Sequence, residues 1–191
     1  MNVVLIGDSI RMGYQKYVQT ELSGFAEIWG SEENGGSSQQ VLEYLDSVIE
    51  RSPDVVHINA GLHDLRRPFG STANQVTLEN YYRNIREITE RIRAGTQARL
   101  IWATSTPLNE ALHNEVHEEL GDFRRFAVDV NTYNEGLFDQ ARILDLEIND
   151  LNAVVMKAGP DKILSQDGVH FTDDGYAVLG KAVADFIRHS H

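Results

Sequence analysis

The sequence contains no cysteine. That excludes a disulfide scaffold, a thiol nucleophile and any thiolate metal site, and it fits a reducing compartment. Positive charge is also sparse: 17 Lys and Arg stand against 29 Asp and Glu, for a net charge of −12. No cluster of Lys or Arg exceeds two in a row. The basic footprint that nucleic acid or an anionic membrane surface requires is missing, so no nucleic-acid and no membrane partner is expected. No apolar run approaches the length of a membrane-spanning helix. The N-terminus, MNVVLIGDSIRMG, has neither a basic leader nor a long apolar stretch. A cytoplasmic setting is expected, although an exported chain trimmed of its leader would read the same. Neither GxxxxGK[ST] nor GxGxxG occurs, so nucleotide and other cofactor binding has no support, and no cofactor is expected.

What is present is ordinary globular composition, 41% hydrophobic and 24% charged residues. At roughly one domain per 150 residues, a chain of 191 residues reads as one domain, 1–191. Short apolar runs at Val3–Ile6, Phe25–Trp29, Val55–Ile58, Leu100–Ala103 and Ile143–Ile148 read as five strands, the first of them buried. Between them lie helical patterns. Val41, Leu42, Leu45, Val48 and Ile49 form one apolar stripe; Leu78, Tyr81, Tyr82, Ile85, Ile88 and Ile92 form another. Phe126–Phe138 and Tyr176–Ile187 carry further helical spacing, and His189 and His191 read as tail residues. Alternating strands and helices predict an α/β fold, a parallel sheet covered on both faces. In such sheets ligands bind beyond the carboxyl ends of the strands. The segments there are Gly7-Asp8-Ser9, Gly35-Gly36-Ser37, Gly61-Leu62-His63-Asp64 and the stretch from Thr104 onward.

Each of these reads two ways. Ser9 either caps a helix or is a nucleophile with helix N-terminal amides beside it. Arg11 stands where G-x-S-x-G needs its second glycine, so that hydrolase signature is not supported. Asp167 and His170, three residues apart, are a turn aspartate with a capping histidine, or a carboxylate orienting a general base. Gly35-Gly36 is a tight turn, or backbone N–H groups open to an oxyanion. His63-Asp64 is a cap, or a donor into the same pocket. His113 and His117, at i and i+4, suit two metal ligands, but H-N-E-V-H lacks a further ligand and reads as a solvated helix face; no metal site is expected. Arg66-Arg67 reads as a solvated pair, with contact to an anionic or sugar substrate the weaker alternative.

Taken in order, the four blocks resemble those of the SGNH, or GDSL-type, hydrolase superfamily. Gly7-Asp8-Ser9-Ile10 is similar to its first block. Asn34-Gly35-Gly36-Ser37-Ser38 before the Val41-Leu42 helix is similar to its second, with Gly35 the better match and Gly36 the alternate. Gly61-Leu62-His63-Asp64 corresponds to the third, and Asp167-Gly168-Val169-His170 to the last. The resemblance implies a three-layer α/β/α sandwich with about five parallel strands. It also implies a Ser9–His170–Asp167 triad cleaving acyl esters, with the oxyanion held by the amides of Ser9 and Gly35 and by a side chain of the third block. The family's asparagine is His63 here, with Asp64 the group expected to orient it and a second inflection in the pH–rate profile expected from its titration.

The expected substrate is a small acyl ester with a short acyl chain, an acetyl group on a carbohydrate first among them. The alternative is an acyltransferase or a non-catalytic binding relative. Oligomeric state is not legible. Residues 104–125 are too long and polar for an ordinary connection of roughly 2–6 residues. They are expected to form an irregular rim whose carboxylates, Glu110, Glu115, Glu118, Glu119 and Asp122, disfavour anionic substrates.

Overall fold

In the computed structural model, which describes residues 1–189, the apolar run at the N-terminus becomes β1 (Asn2–Gly7). His191 lies outside the described residues. Val3, Val4, Leu5 and Ile6 are at most 2% exposed, as a strand covered on both faces requires. β1 pairs in parallel with β2 (Glu27–Gly30) on one side and β3 (Val55–Asn59) on the other. β5 (Arg99–Ala103) and β7 (Glu147–Asn149) extend the sheet, again in parallel, giving the order β2-β1-β3-β5-β7. The chain winds one way from β1 to β2 and the other way from β3 onward. The crevice of such a sheet opens where the winding reverses, at the carboxyl ends of β1 and β3.

The helices follow from their end signals as much as from their stripes. α1 (Ser9–Glu21) starts where the Asp8 carboxylate accepts the Ile10 N–H, and α2 (Ser38–Ile49) starts at a reciprocal Ser37/Gln40 capping box. α3 (Leu78–Gly95) is capped by Thr77 and packs between α2 and α5 (Ala127–Leu144). α8 (Asp173–Arg188) packs on α1 and on α6 (Leu151–Ala158). The short α7 (Pro160–Ile163) leads into the last loop.

Two expectations are corrected. The fifth strand is Glu147–Asn149, not Ile143–Ile148: α5 runs through Leu144 and stops at Asp145 in the left-handed conformation (φ 52°). Ile143, read as a strand residue, is a solvent-facing helix position, 66% exposed. Residues 104–125 are not irregular throughout. They hold α4 (Glu110–Leu120), capped by Asn109 and ended by left-handed Gly121, and then β6 (Phe123–Arg124), which pairs antiparallel with β4 (Arg67–Pro68). α4 escapes a periodicity test because its apolar positions, Leu112, Val116 and Leu120, are exposed while the polar His113 is buried.

α1 and α8 approach closely through Gly180. A Cβ there would sit 2.4 Å from Tyr17 Cβ and 3.0 Å from the Tyr14 carbonyl oxygen. Gly180→Ala should therefore destabilise the fold by about 1–3 kcal/mol, as overpacking does; an unchanged urea midpoint would show that the two helices separate freely.

His57 on β3 is fully buried, its Nε2 3.2 Å from Asn149 Nδ2, and burial pushes its pKa down to about 3. The folded-state value is depressed, so this contribution to stability is complete above the ordinary value of 6.5 and is lost as pH falls from there toward 3. Asp8 and Asp64, raised by burial, act in the opposite direction, Asp64 within the same range as its pKa of about 6 is passed. The difference between wild type and His57→Leu isolates the term: chemical unfolding from pH 7 to 5 should show wild type losing up to about 1.4 kcal/mol per pH unit more than the variant.

Candidate active site

Ser9 is the first residue of α1, immediately past β1, with Asp8 as the cap. N–H groups of a helix's first turn have no intrahelical partner. The Asp8 carboxylate takes that of Ile10, and Ser9 lines the crevice. Asp8 is only 3% exposed, and burial raises its pKa against the pull of the Ile10 bond and of nearby Arg125, His170 and Arg11.

Ser9 Oγ lies 2.8 Å from His170 Nε2, and His170 Nδ1 lies 2.6 Å from Asp167 Oδ2. The other Asp167 oxygen accepts from Ser165 Oγ (2.6 Å), Val169 N (2.9 Å) and His170 N (2.8 Å). Partial burial works against the Asp167 charge, but these donors outweigh it and hold the carboxyl well below the usual carboxylate range. An ionised carboxylate only accepts, so the proton between Asp167 and His170 sits on Nδ1, and Nε2 presents its lone pair to Ser9. The turn is closed by Ser165 N donating to the His170 carbonyl (2.8 Å) and docked on α4 by Asn109 N donating to the Gly168 carbonyl (2.7 Å). Gly168 has φ 74°, and a Cβ there would meet the Asn109 carbonyl at 2.6 Å.

The second block sits against the first through its backbone. The Gly35 N–H donates to the Gly7 carbonyl (3.0 Å), and the Gly36 N–H to Asn34 Oδ1 (2.9 Å). Neither amide is free to face an oxyanion in this arrangement. Gly35 is required for closeness: a Cβ there would lie 2.5 Å from Tyr44 Oη and 2.6 Å from the Gly7 carbonyl.

His63 lines the same cavity as Ser9, and burial, with Arg66 and Arg125 nearby, pushes its pKa down to about 3. It is neutral across the working range, which removes the second inflection expected from it. Its Nε2 is 3.5 Å from Arg66 Nη2 and 4.0 Å from Asp8 Oδ2, contacts too long to hold one tautomer firmly. Asp64 does not orient it. The Asp64 carboxylate instead accepts from the Ser38 amide (2.9 Å) and the Ser38 hydroxyl, which in turn accepts from Asn84 Nδ2 (2.8 Å). Burial raises its pKa to about 6. The acid of the third block thus anchors the start of α2 below the site.

The cavity is about 460 Å³. Besides Ser9, His63 and His170 it is lined by Arg66, His113 and Arg125, none of which the sequence singles out firmly. His113 is 2% exposed, so the solvated helix face expected for it is corrected: its Nε2 accepts from Arg125 (3.1 Å) and its pKa is pushed down to about 3 by burial and by Arg125. The acidic rim is corrected as well. Of the five carboxylates expected at the mouth only Asp122 lines this cavity. Glu110 accepts from the Ala127 amide and Glu118 pairs with Arg124, on the other side of α4. Arg66 and Arg67 part company too, Arg67 pairing with Asp129 at 2.6 Å.

Residues 5–178 match the model of the GDSL-like lipase/acylhydrolase family. No curated protein sequence matches the chain. Among solved structures, the acetyl xylan esterase AlAXEase is 19% identical with TM-score 0.78, over 98% of this chain and 100% of that one. A lipase/acylhydrolase from Enterococcus faecalis is 20% identical with TM-score 0.79, over 97% and 94%. A GDSL-like lipase from Bacteroides thetaiotaomicron is 22% identical with TM-score 0.71, over 97% and 87%. With strand order, strand-end loops and matched residues all in agreement, the chain belongs to the GDSL-like lipase/acylhydrolase family, the SGNH-type carboxylic ester hydrolases.

Proposed function

We propose that the protein is a serine ester hydrolase acting through Ser9, His170 and Asp167 on short acyl esters, acetyl groups on carbohydrates foremost. The observation that carries the reading is the unbroken hydrogen-bonded chain from Ser9 Oγ to His170 to Asp167, at 2.8 and 2.6 Å. His170 Nε2 takes the Ser9 proton as Oγ bonds the ester carbonyl carbon, then returns it to the departing alcohol oxygen. Water, activated by the same nitrogen, releases the acid and restores Ser9. Asp167 stays ionised throughout and stabilises the imidazolium that forms. The oxyanion is held by the Ser9 amide and by His63, and the Gly35 amide contributes only when it leaves the Gly7 carbonyl. A short acyl group suits a cavity of this size and polar lining, and the acetyl xylan esterase among the structural neighbours points the same way.

Ser9→Ala and His170→Ala should each lower kcat on p-nitrophenyl acetate by on the order of 10⁶, since nucleophile and base act as a unit. Asp167→Asn should lower it by about 10⁴ through loss of the correct tautomer. Wild-type turnover in Ser9→Ala would end the assignment, and a fluorophosphonate adduct on Ser9 would establish it. A series of esters from acetyl to palmitoyl should show kcat/KM falling with chain length.

His63→Ala should reduce kcat by about 10²-fold with KM little changed, because a donor bond to the oxyanion strengthens only in the transition state. His63→Asn should recover much of the loss by supplying an amide donor at every pH. Steady-state kinetics of His63→Ala at the wild-type rate would remove His63 from the mechanism.

A further inference from the structure

Among the described residues, two arginines reach the cavity without a carboxylate partner. β4 and β6 pair Arg67 with Arg124, and each of these pairs with an acid: Arg67 with Asp129 at 2.6 Å, Arg124 with Glu118 at 2.5 Å. Their chain neighbours, Arg66 and Arg125, both line the cavity that holds Ser9. Successive residues of a ribbon point to opposite faces, so the ladder that sends one arginine of each strand to an acid sends its neighbour to the site.

Arg125 is only 4% exposed. Its Nε donates to the Leu62 carbonyl (2.6 Å) and its Nη1 to His113 Nε2 (3.1 Å), so the fork is held rigidly by two neutral acceptors. A guanidinium has five N–H groups, and those bonds use two of them. Arg66 is half-buried; its Nε is buried with no partner among the described residues, and its Nη2 has only the long contact to His63. The Phe123 ring lies against both guanidinium carbons, with centroids 4.6 and 4.9 Å away. Asp8, Asp122 and Asp167 line the same cavity and attract these charges at longer range, but among the described residues none pairs with either guanidinium. Asp122 accepts from His117 Nδ1 and the Phe123 amide, Asp167 is bonded to His170, and Asp8 is the buried cap of α1. Burial and the proximity of Arg66 lower the Arg125 pKa to about 10, which leaves it charged at neutral pH. Two like charges taken out of water side by side are costly unless an anion joins them, and a preformed guanidinium fork suits carboxylate or phosphate oxygens.

We propose that Arg66 and Arg125 form an anion-recognition subsite beside Ser9, so that the natural ester carries a carboxylate or phosphate group on the part of the molecule that is not attacked. The inference rests on the hydrolase reading for its position and narrows the substrate to an anionic ester, an acylated acidic sugar being the form that fits a carbohydrate.

The test compares matched esters. For the alcohol side these are 4-acetoxybenzoate against its methyl ester, and 4-acetoxyphenyl phosphate against its dimethyl ester. For the acyl side they are mono-4-nitrophenyl succinate against 4-nitrophenyl butyrate. Wild type should favour the charged member of at least one pair in kcat/KM, chiefly through KM, and the preference should shrink with added salt. The favoured pair identifies which side of the ester bears the charge and which anion it is. Arg66→Gln and Arg125→Gln should each cut the charged-to-neutral ratio by about 10- to 100-fold, the worth of a lost charge-assisted bond. Because Arg125→Gln removes a buried contact to Leu62, Arg125→Lys serves as its folded counterpart, keeping charge but losing the fork. Calorimetric binding of the charged and methylated esters to Ser9→Ala separates the two readings: a hydrolase failure shows as turnover surviving in Ser9→Ala, whereas the subsite fails if charged and neutral members bind alike. Equal ratios in wild type, Arg66→Gln and Arg125→Lys across all three pairs would overturn the proposal.

Discussion

A single backbone contact organises the site: the Gly35 N–H donating to the Gly7 carbonyl, where the second loop closes on the end of β1. Two glycines make it possible, since a Cβ at Gly7 would lie 2.6 Å from the Asn59 carbonyl and one at Gly35 would strike the Gly7 carbonyl at the same distance. The contact draws the ends of β1, β3 and the start of α2 into one crevice, which Ser9 lines. It also means that the glycines of the second block are explained by packing, before any part in binding an oxyanion is invoked.

Around that contact the polar groups fall into layers with different tasks. Beneath, Asp64, Ser38 and Asn84 form a buried network that ties the third block to α2. A buried acid with two good donors is held in place, though burial still raises its pKa. At the surface of the crevice Asp167 is better served still, with four donors for two oxygens, and is kept firmly ionised against partial burial. Asp167 bonds the imidazole of His170, whereas Asp64 holds the start of α2. Above, the small β4–β6 ribbon and α4 form a wall whose inward side chains are basic or neutral apart from Asp122, although the segment itself is rich in glutamate.

Four strands, the parallel sheet, the helices with clean apolar stripes and the sequence positions of Ser9, Asp167 and His170 were all legible in the sequence. Their signals are local: a run of branched residues covered on both faces, a capping residue, a carboxylate and an imidazole three residues apart. The misread elements share one cause. α4 exposes its apolar residues and buries His113, and the end of α5 exposes Ile143, so hydrophobic periodicity pointed away from the truth in both places. The acidic rim failed for a related reason, because composition counts charges without saying which side of a helix carries them.

The sequence by itself determined the fold class and which strand-end and last-loop residues were candidates for acyl chemistry, because strand and helix patterns and the Asp167/His170 spacing span a few neighbouring positions, whereas the approach of Ser9 to His170 across 161 residues is tertiary. The tertiary structure alone decided what surrounds that chemistry. That Asp64 serves Ser38 and not His63, that the Gly35 amide is already bonded, and that Arg66 and Arg125 meet at one ring while Arg67 and Arg124 turn to acids are outcomes of pairing between segments tens of residues apart. Direction and partnership of a side chain are set by the strand register and by what is packed opposite, and neither is written in the chain's local pattern.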